Sequence, residues 1–596
     1  MYRIEALNSL RGKLAERGLS AIIIPTNDPH FGEYTQNYYK IREWLSGFTG
    51  SAGTLVVTLD SAALWTDSRY FVQATQQLPM GEIKLMKLKM ADTPTIAEWI
   101  LKHYPMGEKI AIDKTLFSYG EYESLCKQLY PCTIELVDDF FSELWTDREE
   151  LKFNDITYLD VKYSGESSVS KYERVVEALN VKGERFAYII SACDEVAWLC
   201  NIRGTDIEYN PLPQSYAIVT NNGIHLFANL DSISDEVKTK LLDQKIELHP
   251  YSSFTEILKQ FPAETVRICA KDKITVRDYM ALNVPNAIFK ADPTLGGTIN
   301  YFKSIKNNWE KEGFKEAFKI DGVAWCKVLK FIDDSLDKGD KIDEFIIGEK
   351  FAEYRSENEL YRGESFEPIV AFGQAGALPH YSVTSSEDAQ VIGKDNFLLM
   401  DTGGQYLCGT TDTTRTIPVG NLSAEQKRDY TLVLKGMIDL SCAKFPKGTR
   451  GSQLDILARG PLFNSGQMYF HGTGHGIGHY LCVHEGPQSI RMEENPVALA
   501  PGMVLSNEPA IYIDGKYGIR TENVLLVEEW KYTSFNDFYS FKTLTLVPID
   551  LTCIIPELLT KEELDWVHAY NKTVCEELSP LLDTQTKEWL QSKFNQ

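Results

Sequence analysis

Two acidic residues, Glu508 and Glu522, are set against each other by the chain between them. Met503-Val504-Leu505 and Val524-Leu525-Leu526-Val527 are short apolar runs, and Asp514-Gly515 between them is a strong hairpin-turn signal. A chain folded at Gly515 brings Glu508 opposite Glu522, about 5 Å away on one face of an antiparallel pair. Two like charges so placed are unfavourable unless a cation lies between them.

A second acidic pair precedes it. Phe397-Leu398-Leu399-Met400 is an apolar run that ends in Asp401. A turn near Tyr406 to Gly409 sets Asp401 across from Asp412, while the doublet Gly403-Gly404 is a competing turn that separates them. Between the two pairs lies His471-Gly-Thr-Gly-His-Gly-Ile-Gly478. It contains H-x-x-x-H twice, which on a helix aligns three imidazoles. Each of its alternating glycines, however, costs a helix roughly 1 kcal/mol relative to Ala. An extended segment is expected, with backbone closely approaching a neighbour and His471, Thr473 and His475 on one side.

Any one of these residues, taken alone, is most simply a polar residue at a strand end. Two acidic pairs flanking a Gly-alternated histidine run point to a metal centre, with Asp401, Asp412, His475, Glu508 and Glu522 as ligands. Oxygen ligands suit Mg, Ca or Mn, and the imidazole moves the preference toward Mn, Co, Fe or Zn. Four carboxylates balance two divalent ions, and such a pair, about 3.5–4 Å apart, shares and acidifies a water. No serine or cysteine sits in a nucleophile elbow. The expected chemistry is therefore hydrolysis by a two-metal centre.

At these residues the chain resembles the pita-bread metallopeptidase family. His471-Gly-Thr-Gly-His475, Val483-His-Glu-Gly-Pro487 and Asp401 to Arg415 are most similar to its aminopeptidase P (Xaa-Pro aminopeptidase) group in the long, three-domain form. The resemblance covers nearly the whole chain. It implies an α/β (α+β) fold, with two creatinase-like N-terminal domains followed by a C-terminal pita-bread catalytic domain. It implies that Asp401 and Asp412 hold one metal, Asp412 also contributing to bridging, that His475 and Glu508 hold the other, and that Glu522 bridges. It further implies that Glu508 accepts the proton of the bridging water. His380, His471 and His484 resemble the family's histidines that orient substrate, shuttle protons and stabilise the oxyanion. Arg203 stands on a loop that touches substrate in the family, and reads equally as a structural arginine. The implied reaction is hydrolysis of the N-terminal Xaa-Pro bond of peptides with proline second, by attack of a hydroxide bridging two ions. Mn²⁺ is the first choice, with Co²⁺ or Zn²⁺ as alternatives. An Xaa-Pro bond is a tertiary amide with no N–H, and nothing in the residue spacing selects it. The rivals are a prolidase, restricted to Xaa-Pro dipeptides, and a non-catalytic scaffold that binds peptides or histones. All five ligand-type residues are present, which opposes the scaffold.

A chain of 596 residues exceeds a single core. Residues 1–150 alternate helix and strand: a helix from Ile4 to Arg17 stopped by Gly18, a strand Ala21 to Ile24, a glycine-rich turn Leu45 to Gly53, and strands Thr54 to Thr58 and Ala62 to Trp65. Residues 155–305 repeat this order, with Ala187 to Ile190, Asp194 to Gly204 in place of the glycine-rich turn, and a hairpin across Asn221-Asn222-Gly223. Residues 306–596 carry the catalytic domain, with a helix over Phe314 to Leu336 and a family-type tail at 535–596. Thr560-Lys-Glu-Glu563 in the tail is a capping-box helix start. Its apolar Trp566, Val567, Leu578 and Leu582, together with the resemblance, lead to the expectation of a homodimer built by the third domain. A net charge of −23 offers nothing to nucleic acid or an anionic membrane surface. The 11 cysteines, without C-x-x-C spacing, read as reduced thiols. With no signal-type segment and no 18-residue apolar run, a cytoplasmic protein is expected.

Overall fold

The computed structural model describes residues 3–79 and 81–594. They fall into two compact units, Met1–Tyr158 with Ser167–Thr298, and Leu159–Glu166 with Ile299–Gln596.

The first unit contains two six-stranded sheets of one topology. Strands β1 (Ala21–Pro25), β2 (Thr54–Thr58), β3 (Ala62–Thr66), β4 (Lys84–Lys87), β5 (Lys109–Asp113) and β6 (Thr133–Val137) lie in the order β4-β3-β2-β1-β5-β6. Strands β7 (Phe186–Ile190), β8 (Tyr216–Thr220), β9 (Gly223–Ala228), β10 (Ile246–Pro250), β11 (Val266–Ile268) and β12 (Ile288–Lys290) lie in the order β10-β9-β8-β7-β11-β12. In each sheet the first strand runs antiparallel to the second and parallel to the fifth. The repeated order read from the sequence is thus a repeated topology. The stretch Asp194 to Gly204 stands as the counterpart of Leu45 to Gly53: in each copy a helix between the first two strands, Ile41–Ser46 in one and Cys193–Cys200 in the other, ends on a left-handed residue, Gly47 or Asn201. Apolar side chains such as Val196, Trp198 and Leu199 bury the second of these helices.

In the second unit a helix runs over Asn308–Lys338, opened by a capping box of Asn307 with Glu310 and closed by Gly339 at φ 76°. It contains the expected stretch Phe314 to Leu336 and begins before it. Its stripe of Trp325, Val328, Leu329 and Ile332 packs against Phe351, Val370, Leu398 and Met400. Behind this core, Arg355 is fully buried. Its Nε donates to Asp321 Oδ1 at 2.7 Å, its Nη2 donates to Thr402 Oγ1 at 2.6 Å, and its Nη1 pairs with Glu364. Thr402 is the neighbour of Asp401, so this arginine ties a candidate ligand strand to two helices.

Two antiparallel hairpins carry the acidic residues. Strand Asn396–Thr402 pairs with Thr413–Val419, and the same register continues through Gly404–Tyr406 with Gly409–Thr410, closed by Leu407-Cys408. Gly403-Gly404 does not turn. A Cβ on Gly403 would stand 1.9 Å from the Thr411 carbonyl oxygen, so close approach, not turning, requires the glycine. The expectation that Asp401 and Asp412 oppose each other is corrected by this register: Asp401 faces Thr414, and Asp412 lies on its diagonal. In the other hairpin Val504–Asn507 pairs with Asn523–Tyr532, and Ala510–Ile513 with Tyr517–Arg520. One register runs through both ladders, centred on Gly515 at φ 70°. Glu508 and Glu522 occupy the gap between the ladders, at the position where that register pairs them.

The tail helix Lys561–Leu578 starts with the expected capping box. Val567 and Leu578 are buried in a core with Tyr430 and Met437, and Trp566 and Leu582 pack on it. This corrects the tail's part in the dimer argument, because these side chains are used inside the chain. All 11 cysteines remain thiols. No helix among the described residues is long and apolar enough to cross a membrane.

Candidate metal centre

His475 sits on the short strand Gly474–Gly476, which joins the second hairpin through Gly476 and Leu505. A Cβ on Gly474 would lie 1.9 Å from the Ser506 carbonyl oxygen, and one on Gly476 2.4 Å from Gln488 Nε2. The segment is extended, as expected, and only glycine lets it lie this close. Gly474→Ala is expected to destabilise the protein by about 2–4 kcal/mol, since the strand must move or the ladder must open. A denaturant midpoint equal to that of the unsubstituted protein would show that the strand moves freely. Behind the segment, Arg459 donates to the carbonyls of Tyr469 and His471, both at 2.7 Å, and Asp455 accepts from Thr473 at 2.5 Å.

The candidate ligands converge. His475 Nε2 lies 3.4 Å from Asp412 Oδ2 and 3.4 Å from Glu508 Oε1. One ligand atom each from Asp412, His475 and Glu522 lies within 4.8 Å of the others. Hydrogen bonds hold the set. Arg520 donates to Asp401 Oδ2 from Nε at 3.1 Å and from Nη2 at 2.5 Å, and its Nη1 donates to Tyr512 Oη at 2.7 Å. Tyr512 Oη is 2.9 Å from His471 Nε2. Thr414 donates to Glu522 Oε2 at 2.9 Å, and Ser506 donates to Glu508 Oε1 at 3.2 Å. The His484 ring stands edge-on to His475, centroids 4.3 Å apart. His380 is half-buried on the loop after the 3₁₀ turn Gly373–Ala377. Arg203 belongs to the first unit, where it is buried and its Nη1 donates to the carbonyls of Ala197 and Ile202. His479 packs in the core against Phe314.

Arg520, Thr414, Tyr512 and Ser506 were not singled out in the sequence. A signal for two of them was there: Arg520 stands two residues before Glu522 and Thr414 two after Asp412, the strand period that shares a face.

The electrostatics call for cations. Burial raises the Asp401 carboxyl against the pull of Arg520, and burial with Asp412 nearby raises Glu522 well above the usual carboxylate range. Burial pushes Glu508 up to about 7, opposed by His475. For His475 burial alone lowers the value, but Asp412 and Glu508 reverse it and hold the imidazole at about 9. Among the described residues, the buried atoms Asp401 Oδ1 and Glu522 Oε1 have no hydrogen-bond partner. Orphaned carboxylate oxygens are costly. Divalent ions would satisfy them and offset the crowded negative charge. Four carboxylates and one imidazole are a donor set that fits two such ions.

Residues 312–529 match metallopeptidase family M24, and residues 537–596 match the C-terminal region of that peptidase. Residues 7–142 and 147–310 each match a creatinase/prolidase N-terminal domain. The Laccaria bicolor protein named "Probable Xaa-Pro aminopeptidase P" is 39% identical over 98% of this chain and 92% of its own. Xaa-Pro aminopeptidase 1 of Dictyostelium discoideum is 35% identical over 99% of this chain and 96% of its own. The X-prolyl aminopeptidase of Caenorhabditis elegans, a cytosolic enzyme with a di-nuclear active site, matches in structure with a TM-score of 0.93 and 33% identity, covering 100% of this chain and 99% of its own. Near-complete coverage by these relatives, with creatinase-like domains ahead of the metal-ligand cluster, shows that the chain belongs to the Xaa-Pro aminopeptidase P group of metallopeptidase family M24.

Proposed function

We propose that the chain hydrolyses the bond between the N-terminal residue and a following proline, releasing the first residue of the peptide. The observation that carries this is the complete set of five ligand-type residues, converged in a chain similar over its whole length to Xaa-Pro aminopeptidases. Asp401 and Asp412 would hold one ion, His475 and Glu508 the other, with Glu522 shared. The four oxygen-donor side chains favour Mn²⁺, with Co²⁺ or Zn²⁺ as substitutes. When bound, the two ions would supply an acidified water and a Lewis acid for the scissile carbonyl.

The chain's own groups do the rest. Glu508 accepts the proton of the attacking water, and Ser506, donating to its Oε1, sets the carboxylate's orientation. Arg520 holds Asp401 by Oδ2 and leaves Oδ1 to coordinate. Tyr512 connects Arg520 to His471 and so fixes that ring. His380, His471 and His484 would bind the substrate, steady the oxyanion and return a proton to the prolyl nitrogen as the C–N bond breaks. Proline offers no N–H at that bond, so the site needs no acceptor for one. A cytosolic location is supported by the Caenorhabditis elegans enzyme. A homodimer, and separate domains at 1–150 and 155–305, are supported by the family resemblance.

The test is a tripeptide Xaa-Pro-Xaa offered with Mn²⁺. The expected result is release of the first residue, abolished when chelation leaves no metal by elemental analysis. Cleavage of dipeptides alone would make the chain a prolidase. No cleavage of either peptide would leave a binding scaffold.

A further inference from the structure

A second convergence of metal-ligand side chains lies in the first unit. The parallel strands β9 and β10 pair His225 with Glu247 and Phe227 with His249, so these four side chains share one face. His225 Nδ1 is 3.0 Å from His249 Nε2. Glu247 closes the triangle, with Oε2 at 3.4 Å from His225 Nδ1 and Oε1 at 3.5 Å from His249 Nε2. A tetrahedral ion 2.0–2.1 Å from its ligands holds them about 3.3–3.4 Å apart. The three groups already stand near that spacing. β10 is an edge strand, and Glu247 is 65% exposed while the two imidazoles are 25% and 20% exposed, so an ion has a path in.

Two neighbours prepare the imidazoles. Thr220 Oγ1 lies 3.3 Å from His225 Nε2 and already accepts from the backbone N–H of Asn222. With Nε2–H donated to Thr220, His225 Nδ1 turns a lone pair toward His249. The fully buried Phe227 stacks on the His249 ring, centroids 4.9 Å apart and planes 21° apart, and holds its orientation. In that tautomer His225 Nδ1 accepts, and the hydrogen bond between the rings is donated by His249 Nε2. A divalent ion would take that proton's place, the proton moving to His249 Nδ1 so that the ring stays neutral.

We propose that His225, Glu247 and His249 form a mononuclear site for a borderline divalent transition ion, Zn²⁺ foremost, with a fourth position open to water. Two imidazoles and one carboxylate suit Zn²⁺ better than the oxygen-rich centre does. The competing account is a plain imidazole–imidazole hydrogen bond beside a surface carboxylate, with no affinity for an ion.

The experiment uses the full chain with its catalytic centre loaded with Mn²⁺. Zn²⁺ is titrated in competition with a chromophoric chelator, and total bound metal is counted, because Zn²⁺ also exchanges into the catalytic centre. The native chain is compared with a His225→Gln/His249→Gln double variant, with Glu247→Ala and with Thr220→Val. The native chain is expected to hold one Zn²⁺ more than the double variant. Thr220→Val, which removes only the partner of a ligand, is expected to weaken that site about 10-fold or more, and Glu247→Ala by at least as much. Equal zinc content in native chain and double variant overturns the proposal. Should the double variant fail to fold, unchanged zinc affinity in Glu247→Ala overturns it equally.

Discussion

Replacing Glu508 by Gln is expected to lower kcat by about 10²–10⁴-fold at saturating metal, the usual cost of a lost general base, with little change in KM. Gln keeps the volume and one oxygen that coordinates, but it loses the basic oxygen. The surroundings of Glu508 suit a proton acceptor, since it lies beside His475 and carries the Ser506 hydrogen bond, and burial raises its carboxyl. Asp401→Asn is the control. In the proposed mechanism Asp401, gripped by Arg520, is a ligand alone, so its variant should recover part of its turnover as Mn²⁺ is raised. A kcat titration of both variants against Mn²⁺ separates the roles. If excess metal restores Glu508→Gln to near the unsubstituted rate, Glu508 is a ligand only, and His380 and His484 are next to be tested as the proton acceptor.

Arg355→Met is expected to cost about 3–5 kcal/mol of stability, the range for breaking a buried ion pair from one side. The volume is nearly kept. What is lost is a cation shared by Asp321 and Glu364, and burial already raises the Glu364 carboxyl against the pull of Arg355. Tyr361 and Tyr406 still donate to these carboxylates, so the loss is charge without all of the hydrogen bonding. Urea unfolding of the Mn²⁺-loaded protein measures it. Adding Asp321→Asn and Glu364→Gln to the same chain should return part of the stability, since no bare charge remains. A loss below about 1 kcal/mol in the single variant would mean that water reaches the site.

The hairpin of Glu508 and Glu522 was legible because Asp514-Gly515 fixes its turn and two apolar runs fix its faces. The acidic pair before it was legible only to within two residues. Gly403 and Gly404 carry the composition of a turn, but the glycine at 403 is there for the approach of the Thr411 carbonyl, a tertiary fact that no local pattern contains. The histidine run was legible as extended for the converse reason: four alternating glycines tell against a helix, and the structure shows Ser506 and Gln488 lying where side chains would be. Arg520 and Thr414 went unread because an arginine and a threonine on strands have many ordinary uses, and only their contacts with Asp401 and Glu522 set them apart. The tail failed in the other direction. Trp566, Val567, Leu578 and Leu582 looked free because the core they complete, around Tyr430 and Met437, lies far back in the chain.

The centre is built as two hairpins, and that has a kinetic consequence. Within each hairpin the acidic residues are near neighbours in sequence, and short hairpins close in about 1–10 μs. The link between the halves, Thr414 to Glu522, spans 108 residues. Closing that loop carries a larger entropic penalty, and in the absence of cations it gathers four carboxylates against their own repulsion. Joining the halves is therefore the step on which free divalent ions would act most strongly during folding.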